Sequence, residues 1–193
     1  KNEIKMNKIF LFLILLLSNI TFAQKVYKIE NISWTYEMPQ KYFYQTDNFS
    51  QIVTIGEKFL ENDKNLNLNP EEDILFSIAK EKDSNFNIII SSYLSKNNIK
   101  KFGIDEYLNK LIEVFKEKYT ELGTPISISK EKIEIDGKIF YKIKNVILNP
   151  QKKYTTYMFI GEIANKELQI SSVIDNEVDE KLIIESILNS KFK

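Results

Sequence analysis

The chain has 193 residues, with 27 basic and 27 acidic side chains and no His. Every basic residue is Lys, and Cys is absent as well. These absences exclude the usual zinc, copper and haem ligands, Ser–His and Cys–His nucleophile pairs, bidentate Arg clamps on phosphate, and any disulfide. The even charge balance gives no basic stripe of the kind nucleic acid requires, so nucleic acid is not an expected partner. No metal and no cofactor is expected either.

The first element in chain order is an address. Met6-Asn7-Lys8 is followed by an unbroken apolar run from Ile9 to Leu17, then by Ser18 to Ala23. Positive charge, a short apolar helix and small residues at −3 and −1 (Thr21 and Ala23) form a secretory signal peptide. At about 1.5 Å per residue the run falls well short of a hydrocarbon core about 30 Å thick, so no stable membrane anchor is expected after cleavage. The sequence thus divides into a signal peptide, 1–23, cut between Ala23 and Gln24, and a single domain, 24–193. Without a Cys after the apolar run there is no lipid-attachment site, and the expected location is periplasmic or secreted.

In the domain, Ile32, Trp34, Tyr36 and Met38 alternate with Ser33, Thr35 and Glu37, a half-buried strand stopped by Pro39. Trp34 could stack on a ring ligand, but its place in this alternation favours the core. Tyr42-Phe43-Tyr44 follows. Three consecutive aromatics cannot all face inward from an extended segment, so these residues are the candidate partner contact, set against the plainer reading that two cap the core edge and one is exposed. Phe49, Ile52, Val53, Phe59 and Leu60 predict a helix over 48–61, and 62–73 reads as a loop. Ile74–Ala79 and Phe86–Tyr93 predict a hairpin across the polar link 81–85.

Ile104, Leu108, Leu111, Ile112, Phe115, Tyr119 and Leu122 form one helical stripe with Phe115 at its middle, and Gly123 and Pro125 end it. Ile126 and Ile128 then occupy even positions, Ile133 and Ile135 odd ones. This predicts a β-bulge or a break across Ser129–Lys132. Asp136-Gly137 predicts a type I′ hairpin turn into a strand over 139–148. Two further strands, 154–163 and 167–174, join at Ala164-Asn165-Lys166. Val178, Leu182, Ile183, Ile187 and Leu188 mark a closing helix capped by Asn176.

Asp175, Glu177, Asp179 and Glu180 resemble a sparse calcium loop, but no Gly stands at the sharp turn and no Glu at the twelfth position. Acids at a helix start explain them better. Glu71-Glu72-Asp73 carries the same weak calcium alternative. A carboxylate pair could hydrolyse a glycosidic bond without His or Cys, yet nothing in the sequence places two acids across a cleft. No catalytic residue and no metal ligand is assigned.

Hairpin-linked strands with a few amphipathic helices predict an α+β fold, an antiparallel sheet layered with amphipathic helices. The order of elements resembles the PsbP-like, DcrB-type sandwich family. It runs from an early strand ending Met38-Pro39, through a helix opening Ile104-Asp105-Glu106-Tyr107-Leu108 and a strand closing Ile133-Glu134-Ile135-Asp136-Gly137-Lys138, to a last helix ending Ile187-Leu188-Asn189-Ser190-Lys191-Phe192. The resemblance implies a PsbP-like sandwich over 24–193 and a binding or assembly protein without catalytic residues. The expected function is therefore an exported soluble binding or assembly protein of the cell envelope whose partner is another protein. The alternatives are a periplasmic immunity protein that neutralises a toxin, and a carboxylate-based hydrolase. Intact mass spectrometry of the envelope fraction tests the address: the mature protein is expected to begin at Gln24, and full-length protein fixed in the inner membrane would contradict it.

Overall fold

A computed structural model describes residues 24–45, 72–82, 84–94, 98–148 and 152–193. The expected signal peptide, the helix expected over 48–61 and most of the loop at 62–73, Glu71 included, lie outside them. The strands are β1 (Gln24–Ile29), β2 (Ile32–Glu37), β3 (Phe43–Tyr44), β4 (Glu72–Ala79), β5 (Ile88–Leu94), β6 (Ile126–Ile135), β7 (Lys138–Leu148), β8 (Lys153–Ile163), β9 (Lys166–Ile174) and β10 (Lys191–Phe192). The helices are α1 (Asn98–Phe102), α2 (Ile104–Glu121) and α3 (Glu177–Leu188). Among the described residues no helix is long and apolar enough to cross a membrane.

Strand makes up 52% and helix 25% of the described residues, with ten strands in two antiparallel sheets. This overturns the expected α+β layering and the PsbP-like sandwich: the fold is β-rich. The larger sheet runs β3-β4-β5-β9-β8-β7-β6, and the smaller one β1-β2-β10. The expectation failed because the smaller sheet left little local signal: β1 buries only Tyr27 and Ile29, and β3 and β10 are two residues each, too short to show any alternation. Their strand character comes from pairing with segments far away in sequence, Phe192 with Trp34 and Tyr44 with Ile78.

The two sheets meet face to face over an aromatic layer. Trp34 is fully buried, stacked on Phe192 with centroids 6.0 Å apart, and lies 5.5 Å from Phe76 of the larger sheet. Phe140 of β7 reaches Phe192 from the other side at 5.8 Å. Opposite Phe140 the register places Gly161, where a Cβ would stand 2.7 Å from the Phe140 ring; the ring needs the missing side chain. Asp136 and Gly137 both have positive φ, as the I′ turn requires, and the Asp136 carboxylate accepts from the Phe192 N–H at 2.7 Å. The hairpin turn thereby fixes β10.

β6 has neither a bulge nor a break. Its ten pairs with β7 run in unbroken register from Ile126↔Ile147 to Ile135↔Lys138. The change of apolar parity has another cause. Ile128, near the start of the strand, packs into the cluster under α2, whereas Ile133 and Ile135 at its end pack into the inter-sheet core on the opposite face. One straight strand is covered on different faces along its length. Among the described residues, the sheet's register shifts in β4, between Ile74 and Phe76.

α2 lies on the outer face of β6, β7 and β8, and it is turned about one position from the expected stripe. Tyr107, Leu108, Leu111 and Val114 are buried, while Ile112 and Phe115 only pack against the rim of that cluster. α3 differs more. Asp179, Ile183, Ser186 and Ile187 form its buried face, and Val178, Leu182 and Leu188 are exposed. Asn176 accepts the Asp179 N–H at 2.9 Å, and this cap turns Asp179 inward. Leu111→Ala is expected to cost about 2–5 kcal/mol, and Leu122→Ala, at a residue 64% exposed, less than about 0.5 kcal/mol. Urea denaturation of the two variants checks this.

Candidate functional site

The start of α3 organises two polar centres on opposite sides of the helix. The inner one is Asp179, which has no solvent-exposed surface. Its carboxylate accepts from Lys80 Nζ at 2.8 Å, from Asn176 Nδ2 at 2.8 Å and from the Tyr42 hydroxyl at 3.1 Å. Burial alone would raise its pKa, but the hydrogen bonds from Lys80, Asn176 and Tyr42 outweigh it and hold the carboxyl below the usual range. Asp179 therefore ties α3 to the end of β4 and to the segment before β3, and it is not open to a ligand.

This changes the reading of Tyr42-Phe43-Tyr44. Tyr42 is buried on Asp179, and burial, then the Asp179 charge, pushes its hydroxyl pKa far upward. Tyr44 is half-buried with its hydroxyl 3.1 Å from that of Tyr27, and Phe43, opposite Ala79, is 37% exposed. The three do not form one exposed anchor. Trp34 sits fully buried in the core and is not open to a ligand. Asp175 and Asp179 share the Asn176 amide, but among the described residues no group of three or more Asp or Glu is placed to hold a metal ion.

The outer centre is a groove of about 720 Å³ between α3 and the uncovered ends of β7 and β8. Lys142, Lys144 and Val146 of β7 and Thr155 and Tyr157 of β8 form the floor; Asn176, Glu177, Glu180, Lys181 and Ile184 form the wall. The alternation of β7 explains the floor. Tyr141 and Ile143 point under α2, so Lys142 and Lys144 point to the other face, where the smaller sheet does not reach.

Within the groove Glu180 accepts from Lys144 Nζ at 3.0 Å and makes a very close hydrogen bond with the Tyr157 hydroxyl. The Lys144 and Lys142 ammonium groups stand 5.2 and 5.9 Å from the centre of the Tyr157 ring. Lys142 also pairs closely with Glu131 of β6, and Asp175 with Lys152. Asp175 further accepts from Asn87 Nδ2 and Asn176 Nδ2, each at 2.9 Å.

These contacts set the ionisation of the groove. Burial would raise both Asp175 and Glu180, but Lys152 and the two amides lower the first, and Tyr157 and Lys144 lower the second. The hydrogen bond to Tyr157 raises Lys144; burial and then Glu180 raise Tyr157. At neutral pH both carboxylates are charged, Lys144 is charged and Tyr157 is protonated. Neither carboxyl is held as an acid for glycoside hydrolysis, and neither Lys144 nor Tyr157 is activated as a base or nucleophile. What the groove offers is an ordered array of fixed charges and hydroxyls.

The sequence reading named Asp175, Glu177 and Glu180 only as part of a calcium loop or helix start, and it missed the lysines. One signal was present. Lys142 and Lys144 alternate with Tyr141 and Ile143, which marks a strand with one uncovered face. The chain matches no family model and no curated protein, so neither comparison bears on the PsbP-like resemblance.

Asp179 carries a pH prediction. Its carboxyl is depressed in the folded state, so the stability it contributes is complete above the unfolded carboxylate pKa of about 3.9 and is lost as pH falls through the lower folded value. Asp179→Asn should cost about 3 kcal/mol at pH 7, the low end for breaking a buried pair because Lys80 is a third exposed. That gap should close between pH 5 and pH 2, as read from urea denaturation across pH.

Proposed function

We propose that the chain is an exported, non-catalytic binding or assembly protein of the cell envelope, periplasmic or secreted, and that its partner is another protein held in the groove beside α3. The signal-peptide pattern of 1–23 supports export. One observation carries the binding reading: the ionisable side chains at the centre of the groove, Lys142, Lys144, Tyr157, Asp175 and Glu180, are each held by a partner of opposite charge or by a hydroxyl, as at Lys144–Glu180–Tyr157. Such a site recognises without transferring protons, because its charges are already committed at neutral pH. The Tyr157 ring is flanked by two ammonium groups, which suits the carboxylates and carbonyls of a polypeptide better than a stacked sugar.

The test is to fill the groove. Val146, half-buried in the floor, is replaced by Trp, and tagged wild-type and Val146→Trp proteins are recovered from the envelope after mild cross-linking. The wild type is expected to retain a stoichiometric protein partner and the variant to lose it, with melting temperatures within a few degrees. Equal recovery of the partner by both proteins would overturn the groove as its site. A partner that is toxic when delivered to the periplasm would specify the role as immunity.

A further inference from the structure

The larger sheet ends differently on its two sides. Among the described residues, one edge of the sheet is β3, two residues long, and the other is β6, ten residues paired only to β7. Exposed edges invite pairing with other chains, and proteins blunt them by shortness, bulges, proline or cover. Among the described residues β6 uses none of these. Its register is unbroken, it contains no Pro, and Ser127, Ser129, Lys130, Glu131, Lys132 and Glu134 are all exposed. Its only safeguard is charge.

That charge is arranged to act selectively. Lys130 lies on the α2 face, where its ammonium donates to Asn109 of α2 at 2.8 Å, and alternation puts Lys132 and Glu134 on the same face. Glu131 lies on the groove face, paired with Lys142. A second copy could pair antiparallel with β6 only in registers that keep the faces together. The two such registers with the greatest overlap centre on Lys130 and on Glu131. The first sets Lys130 against Lys130; the second sets Glu131 against Glu131 and Lys130 against Lys132. Like charges directly opposite destabilise a strand pair. A different strand, with acids at the two positions facing Lys130 and Lys132, gains where the second copy loses.

We propose that β6 is an edge-strand docking site for an extended segment of a partner protein, with two acidic residues at alternate positions opposite Lys130 and Lys132 and apolar residues opposite Ile128 and Ile126. Main-chain hydrogen bonds along the free edge supply affinity, and the alternating side chains supply the choice of partner. The proposal rests on the reading that the partner is a protein, and it does not require the groove.

The probe is a fluorescein-labelled peptide, Thr-Lys-Thr-Glu-Thr-Glu-Thr-Ile-Thr-Val, which complements β6 antiparallel; a control peptide carries Lys in place of both Glu. Binding to the mature protein is followed by fluorescence anisotropy. Two cross-strand pairs turned from attraction to repulsion should give the acidic peptide an advantage of about tenfold or more in Kd. The double variant Lys130→Glu/Lys132→Glu should reverse the preference while melting within a few degrees of wild type. No binding of either peptide, or equal binding of both, would overturn the proposal. So would a wild-type dimer in sedimentation that the double variant abolishes, since β6 would then serve a second copy. If neither peptide binds but Val146→Trp still loses the envelope partner, the docking strand fails and the groove reading stands.

Discussion

The structure depends on the contact between its two sheets, where Trp34 and Phe192 from the smaller sheet stack into Phe76 and Phe140 from the larger one. With no disulfide in the chain, this layer and the cluster under α2 must supply most of the cohesion, through burial and packing of large apolar surfaces. Phe192 comes almost at the end of the sequence, and Asp136 at the hairpin turn holds its backbone in place. The smaller sheet is thus closed by residues whose partners lie far away in sequence. That makes the fold a matter of non-local pairing, and it fixes where α3, the element just before β10, can lie.

The groove follows from that placement. Among the described residues, the smaller sheet and α3 cover the larger sheet only in part, leaving the Lys142–Val146 stretch of β7 and the start of β8 open on one face. A strand whose far face is packed under α2 must show its alternate residues to the uncovered side, and here those are lysines. Once there, each is balanced by a carboxylate from a neighbouring element, Glu131 from β6 and Glu180 from α3. Partly exposed ion pairs of this kind contribute little to stability, so their value lies in the charge pattern they hold. Asp179, one residue from Glu180 but on the buried side of the helix, anchors α3 and so aims the groove wall.

Much of the local structure was legible. The alternation at Ile32–Met38, the Asp136-Gly137 turn, the 74–93 hairpin, the helix from Ile104 and the Asn176 cap are short-range signals, and each appears where local chemistry places it. The errors share a cause. The stripe on α3 was drawn from apolar residues alone, and Val178 and Leu182 were counted inside. In the structure Asp179 and Ser186 take inward positions, because Lys80, Tyr42 and Tyr36 satisfy them there. The parity change in β6 looked like a bulge because the sequence gives no sign that a strand's two halves are covered on opposite faces. The layered α+β reading failed because β1, β3 and β10 show too little alternation to be read as strands and are set by their partners.

The sequence by itself carries a signal-peptide pattern, and it determined the chemistries closed to a chain without Cys, His or Arg, the turns, and most of the longer strands and helices, since these depend on residue type and on spacing over a few positions. The tertiary structure alone decided that the fold is β-rich and that Tyr42 is buried while Phe43 is exposed. It also brought Lys142, Lys144, Tyr157 and Glu180 into one groove, and it left β6 as a long free edge. Those outcomes depend on which face of each strand is covered, and coverage is settled by pairing between segments distant in the chain, which no local pattern records.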